Sequence, residues 1–316
     1  ESAVRAEAIR ALASRDASVD CRELLHAAGD SESEVRREAI AALGRLAGKE
    51  QLPAVLGLIV RSKQSDDRAA AERAVLAIFG RMQDREAMTT AVLTALEDAS
   101  VEAHPVLLGL LSAAGTDRAY RRATVALEAD QAEIRQAAVR TLAAWPDTRP
   151  APVLLEVATT ASGRVEKVLA LRGYIRMAGM MDDPAAAYRR AMQLAERPED
   201  RKLVLAGLGS ADSAAALEMV RGYLDDPRLR SEAALAAVQI ADRVRAHDAA
   251  LAKSVLMQVV EIMGDSRVSD QAKKIINEME QYEGYILSWK TAGPYTIKGK
   301  ESREVYDKAF APETDP

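Results

Sequence analysis

The sequence predicts an all-α fold in which pairs of antiparallel helices stack into a right-handed superhelix. The composition is 48% hydrophobic and 29% charged with only 4% aromatic residues, and residues that favour helices dominate it. One short apolar pattern recurs along most of the chain, and a second helical pattern separates its copies. Repetition every 28 to 39 residues is typical of solenoids built from two-helix units.

The recurring pattern is clearest in SEVRREAIAALGRLAG, Ser33 to Gly48. Here Val35, Ile40 and Leu43 fall on one helical stripe, and the charged residues lie away from it. We recognise nine copies, of which the first lacks a preceding partner helix, so the first pair is expected to be incomplete and the chain to be part of a longer protein. The copies are anchored at Val4, Val35, Ala70, Glu102, Ile134, Glu166, Arg201, Leu229 and Val268.

A second helix is predicted between successive copies. Because one pair cannot bury its own apolar stripe, each pair must stack on its neighbours. These predicted first helices of the pairs span 19–28, 51–62, 86–97, 118–128, 151–160, 185–195, 213–224 and 249–260.

Turn residues agree with this division. Glycines stand where helices should end and prolines where they should begin. Four aspartates precede the recurring helices and are predicted to be their N-caps. The glycines are Gly29, Gly48, Gly80, Gly115, Gly179 and Gly264; the prolines are Pro150, Pro184 and Pro227; the aspartates are Asp30, Asp98, Asp130 and Asp265.

The repeated stretches DSESEVRREAIAALGRLAG and DQAEIRQAAVRTLAAW resemble HEAT repeats, in the short form also seen in phycobilin lyase-like proteins. The resemblance covers about residues 1–280 and implies a HEAT-like solenoid domain over 1–282. It implies little about function, because HEAT arrays serve as scaffolds, adaptors, inhibitors and, in a few cases, enzymes.

Residues 283–316 differ in style, with several aromatic residues and a Gly293-Pro294 turn, and predict a short β or irregular segment. One interpretation is a C-terminal cap. The other rests on a resemblance: Trp289, Gly293-Pro294-Tyr295 and Phe310-Ala311-Pro312-Glu313 look like the junction that follows HEAT arrays in large exported planctomycete and verrucomicrobial proteins. That resemblance implies a following β-sandwich of carbohydrate-binding or 3-keto-disaccharide hydrolase kind, and export from the cell. A cytoplasmic location is the alternative.

The charge balance limits the partners. The formal net charge is -5, so nucleic-acid binding is not expected without a local basic face. The apolar run at 52–60 is about half of what a membrane-spanning helix needs, so no membrane span is expected. A protein partner is the expected ligand class.

No motif predicts catalysis, a metal site or a cofactor. His26, His104 and His247 fall on different repeats, and the single cysteine excludes a disulfide within the chain. Cys21 and His26 are five residues apart, about 140° around a helix, so they should not face each other. We therefore predict no catalytic residue, no metal ligand and no cofactor.

A basic residue recurs at the second position of the repeat and predicts a ladder along one surface. Such a ladder is either structural, pairing with acidic residues of neighbouring repeats, or binds an anionic partner on the concave face. Its members are Arg5, Arg36, Arg135 and Arg230, with Lys167 and Lys202 in the same place.

The related stretches YRRAT and YRRAM place Tyr120 with Arg121, and Tyr188 with Arg189, on two first helices. Tyrosine with arginine is typical of interface hot spots. The alternative is an amphipathic tyrosine at a helix edge beside solvated arginines.

Two functions follow from these predictions. The first is a non-catalytic scaffold or spacer that binds a partner protein, with the surface of the second helices as the docking site. The second is the solenoid region of a multidomain carbohydrate-active protein whose sugar-directed domain lies downstream.

Overall fold

The computed structural model describes residues 1–14 and 20–281. They form seventeen α-helices and contain no strand, as the all-α prediction requires. The helices are α1 Ser2–Ser14, α2 Cys21–Ala27, α3 Ser33–Leu46, α4 Leu52–Arg61, α5 Ser65–Phe79, α6 Arg85–Glu97, α7 His104–Ala114, α8 Asp117–Val125, α9 Ala132–Ala143, α10 Ala151–Thr160, α11 Arg164–Ala178, α12 Pro184–Leu194, α13 Pro198–Leu208, α14 Ala214–Arg221, α15 Arg230–Val244, α16 Ala249–Met263 and α17 Arg267–Gln281. The predicted segment 283–316 lies outside the described residues.

The helices form two rows. The odd-numbered helices α1 to α17 are the second helices of the pairs, and the even-numbered helices α2 to α16 are the first helices. All seventeen predicted helices are present. Two helices begin slightly later than their anchors: α7 begins two residues after the predicted anchor Glu102, and Leu229 is the N-cap of α15.

A continuous apolar core fills the space between the rows. Its largest fully buried side chains include Ile40, Leu43, Leu107, Leu108 and Leu142. The helices α3, α5, α9, α11 and α15 bury the stripe that the repeat predicts, whereas Val4 and Leu12 of α1 are 72% and 48% exposed. Burial of one such side chain contributes about 1.5–3 kcal/mol. The stack is therefore held together by the interfaces between neighbouring pairs.

Small residues let the second helices approach one another closely. A Cβ on Gly44 would lie 3.0 Å from Ala74 Cα, and one on Gly173 would lie 2.5 Å from Ala143 Cβ. Second helices contact their neighbours at every step of the stack, whereas first helices do so at fewer steps. The second-helix row is therefore the inner side of the solenoid.

We expect Gly173→Ala to destabilise the protein by about 1–3 kcal/mol, because the new methyl forces α9 and α11 apart. This loss should exceed the gain of about 1 kcal/mol in helix propensity. Gly109→Ala is the matched control, since only Glu72 Oε1 lies near its Cβ position, at 3.8 Å. Urea denaturation should show Gly109→Ala to be stabilising, and a stabilising Gly173→Ala would contradict the close approach.

Most side-chain N-caps are on the first helices, and the predicted caps Asp30, Asp98, Asp130 and Asp265 are wrong. Asp30 Oδ1 accepts the N–H of Glu32 in the turn before α3, and Asp98 is the C-cap of α6. Asp130 and Asp265 lie two residues before the first residue of their helices, Asp30 three and Asp98 six, so each falls short of the N-cap position. Side-chain caps of the first helices are instead Asp20, Asp84, Thr116, Asp183, Ser213 and Asp248. At the second helix α17, Ser266 Oγ accepts the N–H of Ser269 at 3.2 Å.

Candidate docking surface

The second-helix surface is the face of α3, α5, α7, α9, α11, α13 and α15 that points away from the first helices. Each helix contributes three positions spaced four residues apart, and none of them is buried. They are Arg37, Ala41 and Arg45; Ala69, Arg73 and Ala77; Pro105, Gly109 and Ala113; Gln136, Arg140 and Ala144; Val168, Arg172 and Arg176; Lys202, Ala206 and Ser210; and Ser231, Leu235 and Gln239.

The charge on this surface has one sign. Seven of its 21 residues are basic, and none is acidic or aromatic. The whole chain carries a net charge of -5, so this basic surface has the opposite sign of charge to the chain as a whole. This distribution was not predicted from the sequence, although Arg73, Arg140 and Arg172 share a fixed position in their helices.

An acidic edge borders the second-helix surface where the second helices begin. Exposed carboxylates stand three residues before the first position of five helices, and they are Glu34, Asp66, Glu102, Glu133 and Glu199. Negative charge near a helix N-terminus and positive charge near a C-terminus are both favoured by the helix dipole. The dipole therefore accounts for the acidic edge and for Arg45 and Arg176, but not for arginines at the middle position.

The predicted ladder has a structural geometry along the turn inside each pair. Arg36 Nη1 donates to the carbonyls of Asp30 and Ser31 at 3.0 and 2.8 Å, and Arg36 Nε donates to Asp67 Oδ2 at 2.7 Å. Arg135 Nη1 donates to Ala129 O at 2.8 Å and Arg230 Nε to Leu224 O at 3.1 Å, again six residues back. These guanidinium groups satisfy carbonyls at the end of the first helix.

Two further arginines make the same bond, and they change the register of the ladder. Arg68 Nη1 donates to Ser62 O at 2.7 Å and Arg201 Nε to Ala195 O at 2.8 Å. Arg201, not Lys202, is therefore the equivalent of Arg36. Lys202 lies on the second-helix surface and pairs with Glu232 at 2.9 Å. Arg5, on the incomplete first pair, pairs with Asp30.

A second arginine ladder, which the sequence analysis missed, links consecutive second helices near their C-terminal ends. Arg81 donates to Ala47 O at 2.7 Å, Arg176 to Ala143 O at 2.8 Å, and Arg243 to Gly209 O. The shared spacing of 33 or 34 residues is the signal that could have revealed it. These bonds tie each repeat to the preceding one.

A buried carboxylate joins α11 to α13. Asp200 is 1% exposed, and its two oxygens accept from Arg172 Nε at 3.0 Å and from Arg197 Nε at 2.7 Å. Burial alone would raise the pKa of Asp200, but the hydrogen bonds from Arg197 and Arg172 outweigh burial and hold this pKa below its usual value. Asp200 is therefore ionised at neutral pH.

Acidification should remove the stabilisation that ionised Asp200 provides. Because its pKa in the folded chain lies below the unfolded value of about 3.9, the contribution is complete above about pH 4 and declines as the pH falls through the native pKa. Urea denaturation at a series of pH values measures this loss. The free energy of unfolding of Asp200→Asn should fall less steeply below about pH 4 than that of the wild type, and equal slopes would contradict the assignment.

Lys167 lies in a small cavity at the edge of the stack. Arg164, Arg197, Asp200 and Thr159 also line this cavity. Arg135, the equivalent of Lys167 on α9, forms an ion pair with Glu166 at 3.7 Å. Lys167 forms no ion pair with any of the described residues. Lys167 therefore lies at the ladder position without the carbonyl bond of its arginine equivalents.

The two tyrosines singled out in the sequence have different surroundings. The ring of Tyr120 packs edge-on against Trp145, with 5.7 Å between centroids, and the guanidinium of Arg149 lies 5.6 Å from it. Tyr188 is only 4% exposed, and its ring atoms lie 2.6 Å from the place of a Cβ on Gly207. Tyr188 is therefore a core residue with little surface for a partner, whereas Arg121 and Arg189 are exposed.

The nucleophilic and titratable side chains are dispersed. Burial raises the pKa of the Cys21 thiol and the charge of Asp20 adds to this rise, so the thiol is protonated at neutral pH and a poor nucleophile. Burial also lowers the pKa of His104, and the charge of Arg122 lowers it further. Among the described residues there is no cluster of three or more His, Cys, Asp or Glu able to hold a metal ion. None of the described helices has the length and hydropathy to span a bilayer.

Comparisons with known proteins bear on the fold. Residues 1–76 match the family model of HEAT repeats. This HEAT match covers α1 to α4 and most of α5. The remaining pairs continue the same two-row stack, so the fold is a HEAT-like solenoid throughout the described residues. None of the curated proteins compared with the chain matches it.

Solved structures give only distant likenesses. An engineered protein is 21% identical, with 81% of this chain and 77% of that chain covered and a TM-score of 0.41. Human deoxyhypusine hydroxylase in complex with glycerol is 17% identical, with coverage of 74% and 97% and a TM-score of 0.31. A second engineered protein is 17% identical, with coverage of 83% and 97% and a TM-score of 0.25. At these scores the likenesses carry no information about function.

Proposed function

We propose that this chain is a non-catalytic interaction scaffold that binds a protein partner on the second-helix surface. The observation that carries the proposal is a continuous solvent-facing surface across seven helices. Its charged residues are all basic, although the chain as a whole is acidic. A stack of this kind presents an extended surface without needing any one deep pocket. The ladder residues Arg36, Arg135 and Arg230 support the stack, and Lys202 lies on the docking surface itself.

Bulky substitutions on the second-helix surface should abolish partner capture. Ala41→Trp and Ala206→Trp each place a large ring on exposed positions of α3 and α13, and Ala186→Trp on exposed α12 is the matched control. The full chain serves as bait in its own cell extract, with captured proteins identified by mass spectrometry. We expect a protein that the wild type and Ala186→Trp retain and both surface variants lose. Equal capture by all four proteins would contradict this use of the surface.

The alternative, a solenoid region within a multidomain carbohydrate-active protein, depends on residues 283–316, which lie outside the described residues. It predicts a sugar-directed domain after Pro316 in the gene. It is compatible with the same docking surface, because a neighbouring domain would itself be a protein partner.

A further inference from the structure

We propose that the second-helix surface binds an acidic, extended peptide segment of its protein partner, and that Arg73, Arg140 and Arg172 at the middle positions read its carboxylates. This inference rests on the proposed function and specifies the chemistry of the partner. Arginine guanidinium groups are suited to this task because they bind carboxylates with paired, directional hydrogen bonds.

Arg73 and Arg140 have N–H groups that form no hydrogen bond within the described residues. Arg73 Nε donates only to the Ala69 carbonyl, at 3.3 Å, and Arg140 only to Gln136 Oε1, at 3.5 Å. Neither they nor Arg45 forms an ion pair within the described residues, whereas Arg172 already shares buried Asp200 with Arg197. The guanidinium groups of Arg73, Arg140 and Arg45 therefore give the surface a positive electrostatic potential.

The charges around these arginines select a path across the helices. The acidic edge, which includes Glu34, Asp66 and Glu133, repels an anionic chain from the side where the second helices begin. The opposite side carries Arg45 and Arg176. An acidic segment is therefore guided along the middle positions, across the helices and not parallel to them.

The spacing fits an extended chain. Neighbouring helix axes lie about 8–10 Å apart, so the three steps from α5 with Arg73 to α11 with Arg172 span about 24–30 Å. At about 3.3 Å per residue an extended segment of about seven to nine residues covers this distance, or about three residues for each step between helices. Gly109, between Arg73 and Arg140, presents no side chain and leaves room for the peptide backbone.

A peptide fits this surface better than a nucleic acid. Sequence-tolerant binding of single strands uses aromatic rings on which bases stack, and the second-helix surface has none among its 21 positions. A carboxylate lies close to the middle line at Glu72, whose Oε1 is 3.8 Å from the Cβ position of Gly109. Glu72 should weaken the binding of any anion there.

The test uses a fluorescent twelve-residue peptide with Glu at every third position and Gly or Ser between, with the Gln version of the same peptide as control. Fluorescence anisotropy with the full chain should show binding of the Glu peptide that weakens with salt, and none of the Gln peptide. Arg73→Glu/Arg140→Glu should weaken binding at least tenfold, and Glu72→Gln should tighten it severalfold. Arg61→Glu/Arg190→Glu, at exposed positions of the first helices α4 and α12, has the same net charge and should leave binding unchanged.

Several results would overturn the proposal. They are no binding of the Glu peptide, equal weakening by the two charge-reversal variants, or tighter binding of a twelve-nucleotide RNA than of the peptide. The outcome is separable from that of the proposed function. Suppose that a partner is lost with Ala41→Trp but that its binding does not change with salt or with Arg73→Glu/Arg140→Glu. This result would support the scaffold function and contradict the acidic peptide segment.

Discussion

Replacing Asp200 by alanine should lower the free energy of unfolding by about 3 kcal/mol, near the lower end of what breaking a buried ion pair costs. The carboxylate is 1% exposed and is the common acceptor of Arg172 and Arg197, so its removal leaves two guanidinium groups without their partner. Both arginines are partly exposed and can be hydrated, which keeps the loss at the lower end. Urea denaturation followed by circular dichroism measures it.

Asp117→Ala is the matched control for Asp200→Ala. Asp117 pairs with Arg149 at 2.6 Å, a distance as short as those at Asp200, but its side chain is 78% exposed. Exposed pairs contribute about 0–1 kcal/mol, so this variant should be close to the wild type. Similar losses in the two variants would show that burial of Asp200 does not strengthen its interactions.

Arg36→Met should also destabilise the protein, by about 3 kcal/mol, because it breaks the most buried ion pair of the ladder. Methionine keeps the apolar stem of the side chain but leaves the carbonyls of Asp30 and Ser31 and the carboxylate of Asp67 without their donor. Asp67 is 6% exposed, so water replaces the lost bond poorly. Urea denaturation gives the change in unfolding free energy.

The neighbouring residue provides the control for Arg36→Met. Arg37 is exposed on the second-helix surface, so Arg37→Met should change stability by no more than about 0.5 kcal/mol. The double variant Arg36→Met/Asp67→Asn should recover part of the loss, because it no longer leaves a buried charge unpaired. An additive double variant would mean that the Arg36–Asp67 contact contributes little.

The two-row fold could be predicted because the apolar stripe of each pair is local information. Residues such as Val35, Ile40 and Leu43 mark the buried side of a helix without reference to the rest of the chain. The boundaries of the turns were harder to predict from the sequence. Asp30 has the chemistry of an N-cap, and only the length of the turn places the start of α3 three residues later.

The candidate site was predicted less well, because it depends on contacts between helices. Arg201 and Lys202 are both basic, and only the bond from Arg201 to the Ala195 carbonyl assigns the ladder position. Tyr188 has the composition of a hot spot, but Gly207 on α13, the second helix of the same pair, lets its ring pack inside the core. The basic middle line needs the register of several helices at once before Arg73, Arg140 and Arg172 align.

The central claim, an elongated stack whose second helices form one continuous row, is tested most directly by a distance along that row. Nitroxide labels on Ala41→Cys and Ala206→Cys, in a Cys21→Ser background, join α3 to α13, and labels on Ala41→Cys and Ala113→Cys calibrate the first two steps. At about 8–10 Å a step, double electron–electron resonance should give about 40–50 Å for the long pair and about 16–20 Å for the short one. A distance below about 25 Å for the long pair would contradict the stack and show a closed bundle of helices instead.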